Sequence, residues 1–240
     1  MRKVMFAVLA LAFLSSLAGA TRWISLGGPE GTPVEVKVLE SSEQATLLSF
    51  DLKGYYVDEV VLNGNKYVRI ALPGATPILE KGMPDLPKVA RSIVIPDDAS
   101  ASFSIEEDRV LEVKTAPVIP SKGHLTRDID PASVPYRFSD FYDGDSFFPE
   151  GVFSLGTPYI LRDFRGMVVR FNPFQYNPSD NTLRIHRHLL VEVRYSKGGS
   201  VNVKVRKRSD RISQDFLNIY RDHFINFEKA ASRYNMIPEP

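Results

Sequence analysis

The chain has 240 residues, 43% hydrophobic and 11% aromatic, enough to bury the core of one large domain or two small ones. A formal net charge of +1 gives no global field to draw nucleic acid or a strongly charged partner. The absence of cysteine removes disulfides, thiolate metal sites and a cysteine nucleophile together.

The N-terminus reads as an export signal. Met1-Arg2-Lys3 is basic and Val4–Leu17 is an almost unbroken apolar run. Ala18-Gly19-Ala20 is then the small-residue pattern at which signal peptidase cuts, which puts the cut between Ala20 and Thr21. Residues 1–20 are therefore expected to be removed. The run is too short and one-sided for an anchor, and no cysteine follows it for lipid attachment. The product is expected to be exported (periplasmic, cell-surface or extracellular) with no membrane contact after cleavage.

Beyond the Gly27-Gly28-Pro29-Glu30-Gly31 turn, Pro33–Glu40 alternates apolar and polar residues, and Ala45–Leu52 follows as a second strand. Tyr55–Leu62 and Tyr67–Leu72 flank Asn63-Gly64-Asn65, a strong hairpin signal. Strands at this spacing predict an antiparallel sandwich or open barrel. The prolines of residues 73–87 rule out a central strand, so this passage is expected to be an ordered loop. Val89–Ile95, Ser100–Glu107 and Arg109–Thr115 resume the strand pattern, and Ser121–Pro135 is a second long loop.

Tyr136–Tyr142 and Phe147-Phe148 concentrate aromatic rings, which plug one end of the fold or, alternatively, offer a sugar-stacking surface. Tyr159–Asp163 is expected to lead through an Arg165-Gly166 turn into Met167–Phe171. In Thr182–Tyr195, Leu183, Ile185, Leu189, Val191 and Val193 fall on one face, with Arg184, His186, His188, Glu192 and Arg194 on the other. Val201–Val205 is a candidate last strand, running into a basic cluster (Lys204, Arg206, Lys207, Arg208, Arg211) read as a solvated face. Ser209 or Asp210 can cap an amphipathic helix whose stripe holds Ile212, Phe216, Ile219, Tyr220, His223, Phe224 and Phe227 and which ends near Ala231.

No reactive constellation emerges. There is no G-x-S-x-G turn and no Gly-rich phosphate loop. His186 and His188 share a strand face but lack further ligands for zinc, and are read as half-exposed strand residues. Asp140, Asp143 and Asp145 around Gly144 do not match a calcium loop and are read as turn aspartates. The chain is expected to use no metal or other cofactor and to be a binding or regulatory module, not an enzyme.

Lys-Gly-Met-Pro-Asp-Leu-Pro (Lys81–Pro87), Val94-Ile95-Pro96, Pro-Ser-Lys-Gly (Pro120–Gly123), the run Pro158–Val169, Pro173–Pro178 and Thr182–Ile185, in this order, resemble the prodomain of gingipain-type cysteine peptidases, family C25. The resemblance covers about Val34 to Tyr234. It implies an all-β fold, an antiparallel, jelly-roll-like β-sandwich over residues 21–208 with a C-terminal amphipathic helix and maturation junction over 209–233. Residues 234–240 would begin a following domain. It also implies a partner, a C25 catalytic domain normally in the same chain, which the prodomain inhibits and helps to fold.

Such peptidases cut after Arg or Lys. The resemblance therefore places an S1-directed basic residue in the loop 120–135, Arg127 first and Lys122 second, and a maturation cleavage between Arg233 and Tyr234. A guanidinium suits a carboxylate-lined pocket because it bonds bidentately and stays charged. Pairing of Arg127 with Asp128 or Asp130 is the competing reading of that residue. The competing reading of the whole chain is a stand-alone secreted β-sandwich that binds glycan or protein. No nucleic-acid partner is expected.

Overall fold

The computed structural model describes residues 21–206, 212, 214–232 and 234. The strands are β1 (Thr21–Ser25), β2 (Glu35–Ser41), β3 (Ala45–Asp51), β4 (Gly54–Leu62), β5 (Asn65–Ala71), β6 (Thr76–Pro77), β7 (Pro87–Val94), β8 (Ala99–Lys114), β9 (Phe153–Leu155), β10 (Tyr159–Leu161), β11 (Phe164–Phe171), β12 (Phe174–Asn177) and β13 (Thr182–Lys197). They form three antiparallel sheets. One has the order β12-β13-β3-β2, with β8 along the other side of β13; a second has the order β10-β11-β7-β6, with β9 beside β11; the third is β1-β4-β5.

The first two sheets face each other as a sandwich. Phe50 of β3 meets Phe171 of β11 and Phe153 of β9 at ring separations of 5.1 and 6.0 Å, and the inward residues of β13 are almost fully buried. Burial of such side chains contributes roughly 1.5–3 kcal/mol each, which fixes the register of β13. The third sheet closes one flank, where Tyr55 meets Phe174 edge to face at 5.0 Å. The hairpin of β4 and β5 turns at Asn63-Gly64, both at positive φ, as its sequence demands.

Several expectations are corrected. The chain does not turn at Arg165-Gly166. It turns at Arg162, which takes φ 51°, and Arg165 and Gly166 lie buried inside β11. Arg165 is 1% exposed, and its guanidinium donates to the carbonyls of Pro96, Ala99, Val201 and Asn202 at 2.7–2.9 Å. Burial lowers its pKa, and Asp97 and Asp98 oppose that. This clasp takes up the carbonyls of residues 201–202, so Val201–Val205 is not a strand.

Phe174–Asn177, read as a crossing, is a strand, and the two strands expected at Ser100–Glu107 and Arg109–Thr115 are one, Ala99–Lys114. Arg206 is not solvated: it pairs with Asp97, donates to the Asp163 carbonyl and lies 4.5 Å from the Tyr234 ring. Lys207, Arg208, Arg211 and the caps Ser209 and Asp210 lie outside the described residues.

The C-terminal helical stripe is broken into a 3-10 turn (Gln214–Phe216), α1 (Leu217–His223) and α2 (Phe227–Ala231). Phe164, Val94, Ile212, Tyr220, Phe224, Phe227 and Ala230 form a second core beneath it. Between the helices, buried Asn226 accepts from the Val94 N–H (2.7 Å) and donates to the Val94 carbonyl (2.9 Å), so its amide stands in for a neighbouring strand. The Ile225 N–H donates to the Ser92 carbonyl beside it (3.0 Å).

Phe224 reaches the sheet because residue 166 has no side chain. A Cβ there would lie 2.5 Å from Phe224 Cε1 and 2.8 Å from Tyr159 Cζ. Gly166→Ala is therefore expected to destabilise the fold by about 1–3 kcal/mol through overpacking. Urea unfolding measures it, and an unchanged midpoint would show that the two rings move aside freely.

Candidate functional site

The passages richest in proline pair with each other. The Asp85 N–H donates to the Ile119 carbonyl (2.9 Å), the Ser121 N–H to Met83 (2.7 Å) and the Gly82 N–H to Ser121 (2.9 Å), which makes an irregular antiparallel ribbon. Residues 117–119 are also tied to β5: the Val68 N–H donates to Pro117 and the Ile119 N–H to Val68. Prolines tolerate this arrangement because it uses the N–H groups of their neighbours. Two glycines are required at its end. Gly82 and Gly123 take φ of 84° and 82°, and a Cβ on Gly123 would come within 2.9 Å of Lys81 Cβ.

From this base the loop 124–135 projects outward. The Ile129 N–H donates to the Thr126 carbonyl (3.1 Å), so Arg127 and Asp128 occupy the two corners of a turn. Arg127 is exposed, and among the described residues it has no hydrogen bond or ion pair. Neither suggested partner engages it. The Thr126 hydroxyl and its own backbone N–H hold the Asp128 carboxyl below the usual range, and Asp130 accepts from the Ala132 N–H (2.9 Å) to cap the 3-10 turn Pro131–Ser133.

Lys122 behaves differently. It is half-buried, and its ammonium donates to the Pro131 carbonyl (2.6 Å) and lies 4.2 Å from the centre of the Tyr136 ring. The Tyr136 hydroxyl accepts from Arg69 Nη2 (2.9 Å), and Arg69 Nε pairs with Asp85 (3.1 Å). Burial pushes the Asp85 carboxyl up, against the pull of Arg69. Beside this chain of contacts lies a cleft of about 370 Å³, lined in part by Leu72, Pro77, Leu79, Leu125, Pro131 and Tyr136.

The other residues singled out from sequence lie elsewhere. Thr21 opens β1 opposite Asp58, and Ala20 and Arg233 are outside the described residues. Tyr234 packs edge to face on Phe164 at 5.0 Å. Phe138, Phe141, Tyr142 and Phe148 meet edge to face at 4.8–5.9 Å, and the Tyr142 hydroxyl donates to the Val118 carbonyl (2.8 Å), so these rings present no flat platform.

His188 stays half-buried against Asp51 (2.8 Å). His186 is a correction. It is 3% exposed, 2.9 Å from both Asp108 carboxylate oxygens and 2.9 Å from Gln175 Oε1. The segment 147–150 crosses this face of β13: Gln175 donates to the Pro149 and Glu150 carbonyls, and Phe147 lies 3.7 Å from the Arg184 guanidinium. Strand alternation alone gives no sign of that cover. His124 is exposed and His223 lies 2.6 Å from the Tyr159 hydroxyl. Among the described residues no three His, Cys, Asp or Glu side chains gather as a metal set, and no helix is long and apolar enough to cross a membrane.

The described residues thus form a three-sheet β-sandwich in which Arg127 stands without an internal partner on a loop whose base is hydrogen-bonded to the sheets. The chain belongs to the C25 propeptide family: the Propeptide_C25 profile matches residues 29–234. It is 30% identical to Gingipain R2 of Porphyromonas gingivalis over all of its own length and 32% of that protein's. It is 32% identical to Gingipain R1 of the same species over 96% of this chain and 23% of the relative. The chain thus spans about a third or less of the curated relatives it matches.

Among solved structures, the complex of P. gingivalis RgpB pro- and mature domains matches with a TM-score of 0.73 and 29% identity, covering 80% of this chain and 96% of that one. A structure reporting the zymogenic latency of gingipain K, at 20% identity and a TM-score of 0.63, shares the fold. The all-β fold class and the family expected from the sequence are both shown.

Asp145, one of the turn aspartates, tests the staple beside the aromatic segment. Its carboxylate accepts from Asn177 Nδ2 and Ser179 Oγ (2.8 Å each), which lowers its pKa. A lowered carboxyl stabilises the fold above its unfolded pKa, and that contribution is lost as pH falls through the folded value. Asp145→Asn is expected to shrink the drop in melting temperature between pH 5 and pH 2, and an identical acid limb in the two proteins would refute the staple.

Proposed function

We propose that this chain is the inhibitory and folding-assisting propeptide of an exported C25 cysteine endopeptidase, with Arg127 as the side chain that enters the S1 pocket of the catalytic domain. The observation that carries the reading is the state of Arg127. A guanidinium at the corner of a turn, without an internal partner, on a loop tied at both ends, is already in position to meet a carboxylate in another domain. Family membership supports the partner, and the pro–mature complex of a relative supports the mode of association.

Lys122 is already engaged by Pro131 and Tyr136, which favours Arg127 over it. The edge-to-face packing of the aromatic segment does not favour a glycan-binding module. The same reading puts removal of residues 1–20 at Ala20–Thr21 and maturation at Arg233–Tyr234.

Titration of the chain against mature Gingipain R2 and Lys-gingipain tests it. Arg127→Ala is expected to weaken inhibition by about 2 kcal/mol or more, roughly 30-fold, the scale for losing one partner of a desolvated charge pair. Inhibition untouched by the substitution would move the contact to another residue.

A further inference from the structure

The geometry points to Lys122 as the positioning residue that makes the loop a durable inhibitor and not a substrate, an inference that rests on the reading of Arg127 above. A basic residue placed in the S1 pocket of a peptidase that cuts after basic residues exposes its own carbonyl to attack. When the peptidase nucleophile adds to the Arg127 carbonyl carbon, the C–N bond to Asp128 breaks, and the Asp128 nitrogen takes a proton and leaves as an amine. An amine held in place returns to the acyl carbon, gives the proton back and re-forms the peptide bond. One that drifts away lets water hydrolyse the acyl group, leaving an Arg127 carboxylate and a cut loop. The outcome therefore depends on what spans the bond, because a tethered amine competes with water at a high effective concentration.

Beside the local bond from the Thr126 hydroxyl to the Asp128 carboxyl, two contacts within the loop span it. The Ile129 N–H to Thr126 carbonyl bond closes the turn itself, and Lys122 Nζ to the Pro131 carbonyl closes the wider loop. The first is a backbone bond at an exposed turn. The second is charge-assisted and 2.6 Å long, and it is braced by the Tyr136 ring. Through the Tyr136 hydroxyl, Arg69 and Asp85, the brace continues to the ribbon that carries the acyl side of the loop. Cutting at Arg127–Asp128 thus leaves both new ends attached to one rigid base, with Lys122 joining them.

The test pairs mature Gingipain R2 with the chain, following peptidase activity and the mass of the chain over hours. The unsubstituted chain is expected to hold activity down and stay largely intact. Lys122→Met, which keeps the stem and removes the charge and its donors, is expected to inhibit at first within a few-fold of the unsubstituted chain. Activity then returns as the chain is cut after Arg127, roughly tenfold faster, the size of losing one charge-assisted hydrogen bond. Lys122→Arg should restore durability, and equal melting temperatures show that all the variants are folded.

Inhibition by Lys122→Met as durable as that of the unsubstituted chain overturns the clamp while leaving Arg127 in place. Outright loss of inhibition in Lys122→Met from the first minute, with the fold intact, also overturns it, because Lys122 would then act in binding. No inhibition by the unsubstituted chain overturns the parent reading, and the clamp with it.

Discussion

The pairing of residues 82–85 with residues 119–121 is the constraint on which the functional half of the molecule depends. It joins two segments more than thirty residues apart in sequence, each carrying a proline that cannot donate to a ladder. Because residues 117–119 also bond to β5, the base of the loop 124–135 is continuous with the hydrophobic core and not an appendage of it. The backbone at the tip inherits that rigidity, so docking costs chiefly the rotamer freedom of the side chain itself. The glycines at 82 and 123 are consequences of the same pairing, since the ribbon can end as it does only where the backbone takes positive φ and approaches Lys81 closely.

Much of the architecture is written in patterns of period two. The buried face of β13 follows from alternation, and the hairpin of β4 and β5 follows from Asn63-Gly64. What stays hidden is whatever depends on partners distant in sequence. Arg165-Gly166 looks like a turn by residue type, yet four carbonyls from residues 96–99 and 201–202 make the interior hospitable to the guanidinium. His186 occupies a nominally solvent-facing position and is buried because the segment 147–150 happens to cross there. Neither cover can be inferred from the strand itself. The division into three sheets is equally non-local, as no signal in β4 or β5 says which neighbours they lack.

The loop divides in the same way. Its existence, its charge and the basic residues at 122 and 127 are legible, because prolines and turn formers mark the boundaries. What distinguishes those two residues is not. Arg127 is left without a partner by a turn that satisfies Asp128 and Asp130 internally, whereas Lys122 is captured by the Pro131 carbonyl and the Tyr136 ring. A signal for the capture is present in principle, since an aromatic residue following the loop is a ready seat for a cation, but Phe138, Phe141 and Tyr142 compete for that reading.

The amide of Asn226 has a consequence beyond joining the helices to the sandwich. Strand β7 is paired by β6 only at its first residues, so its far end would otherwise present open donors and acceptors, the kind of template on which another chain can add a strand. Asn226 and the Ile225 N–H occupy those groups at Val94 and Ser92. The C-terminal segment therefore covers an edge as well as a core: a chain shortened before residue 225 would lose Phe227 and Ala230 from the second core and leave this margin of β7 open to pairing with another chain.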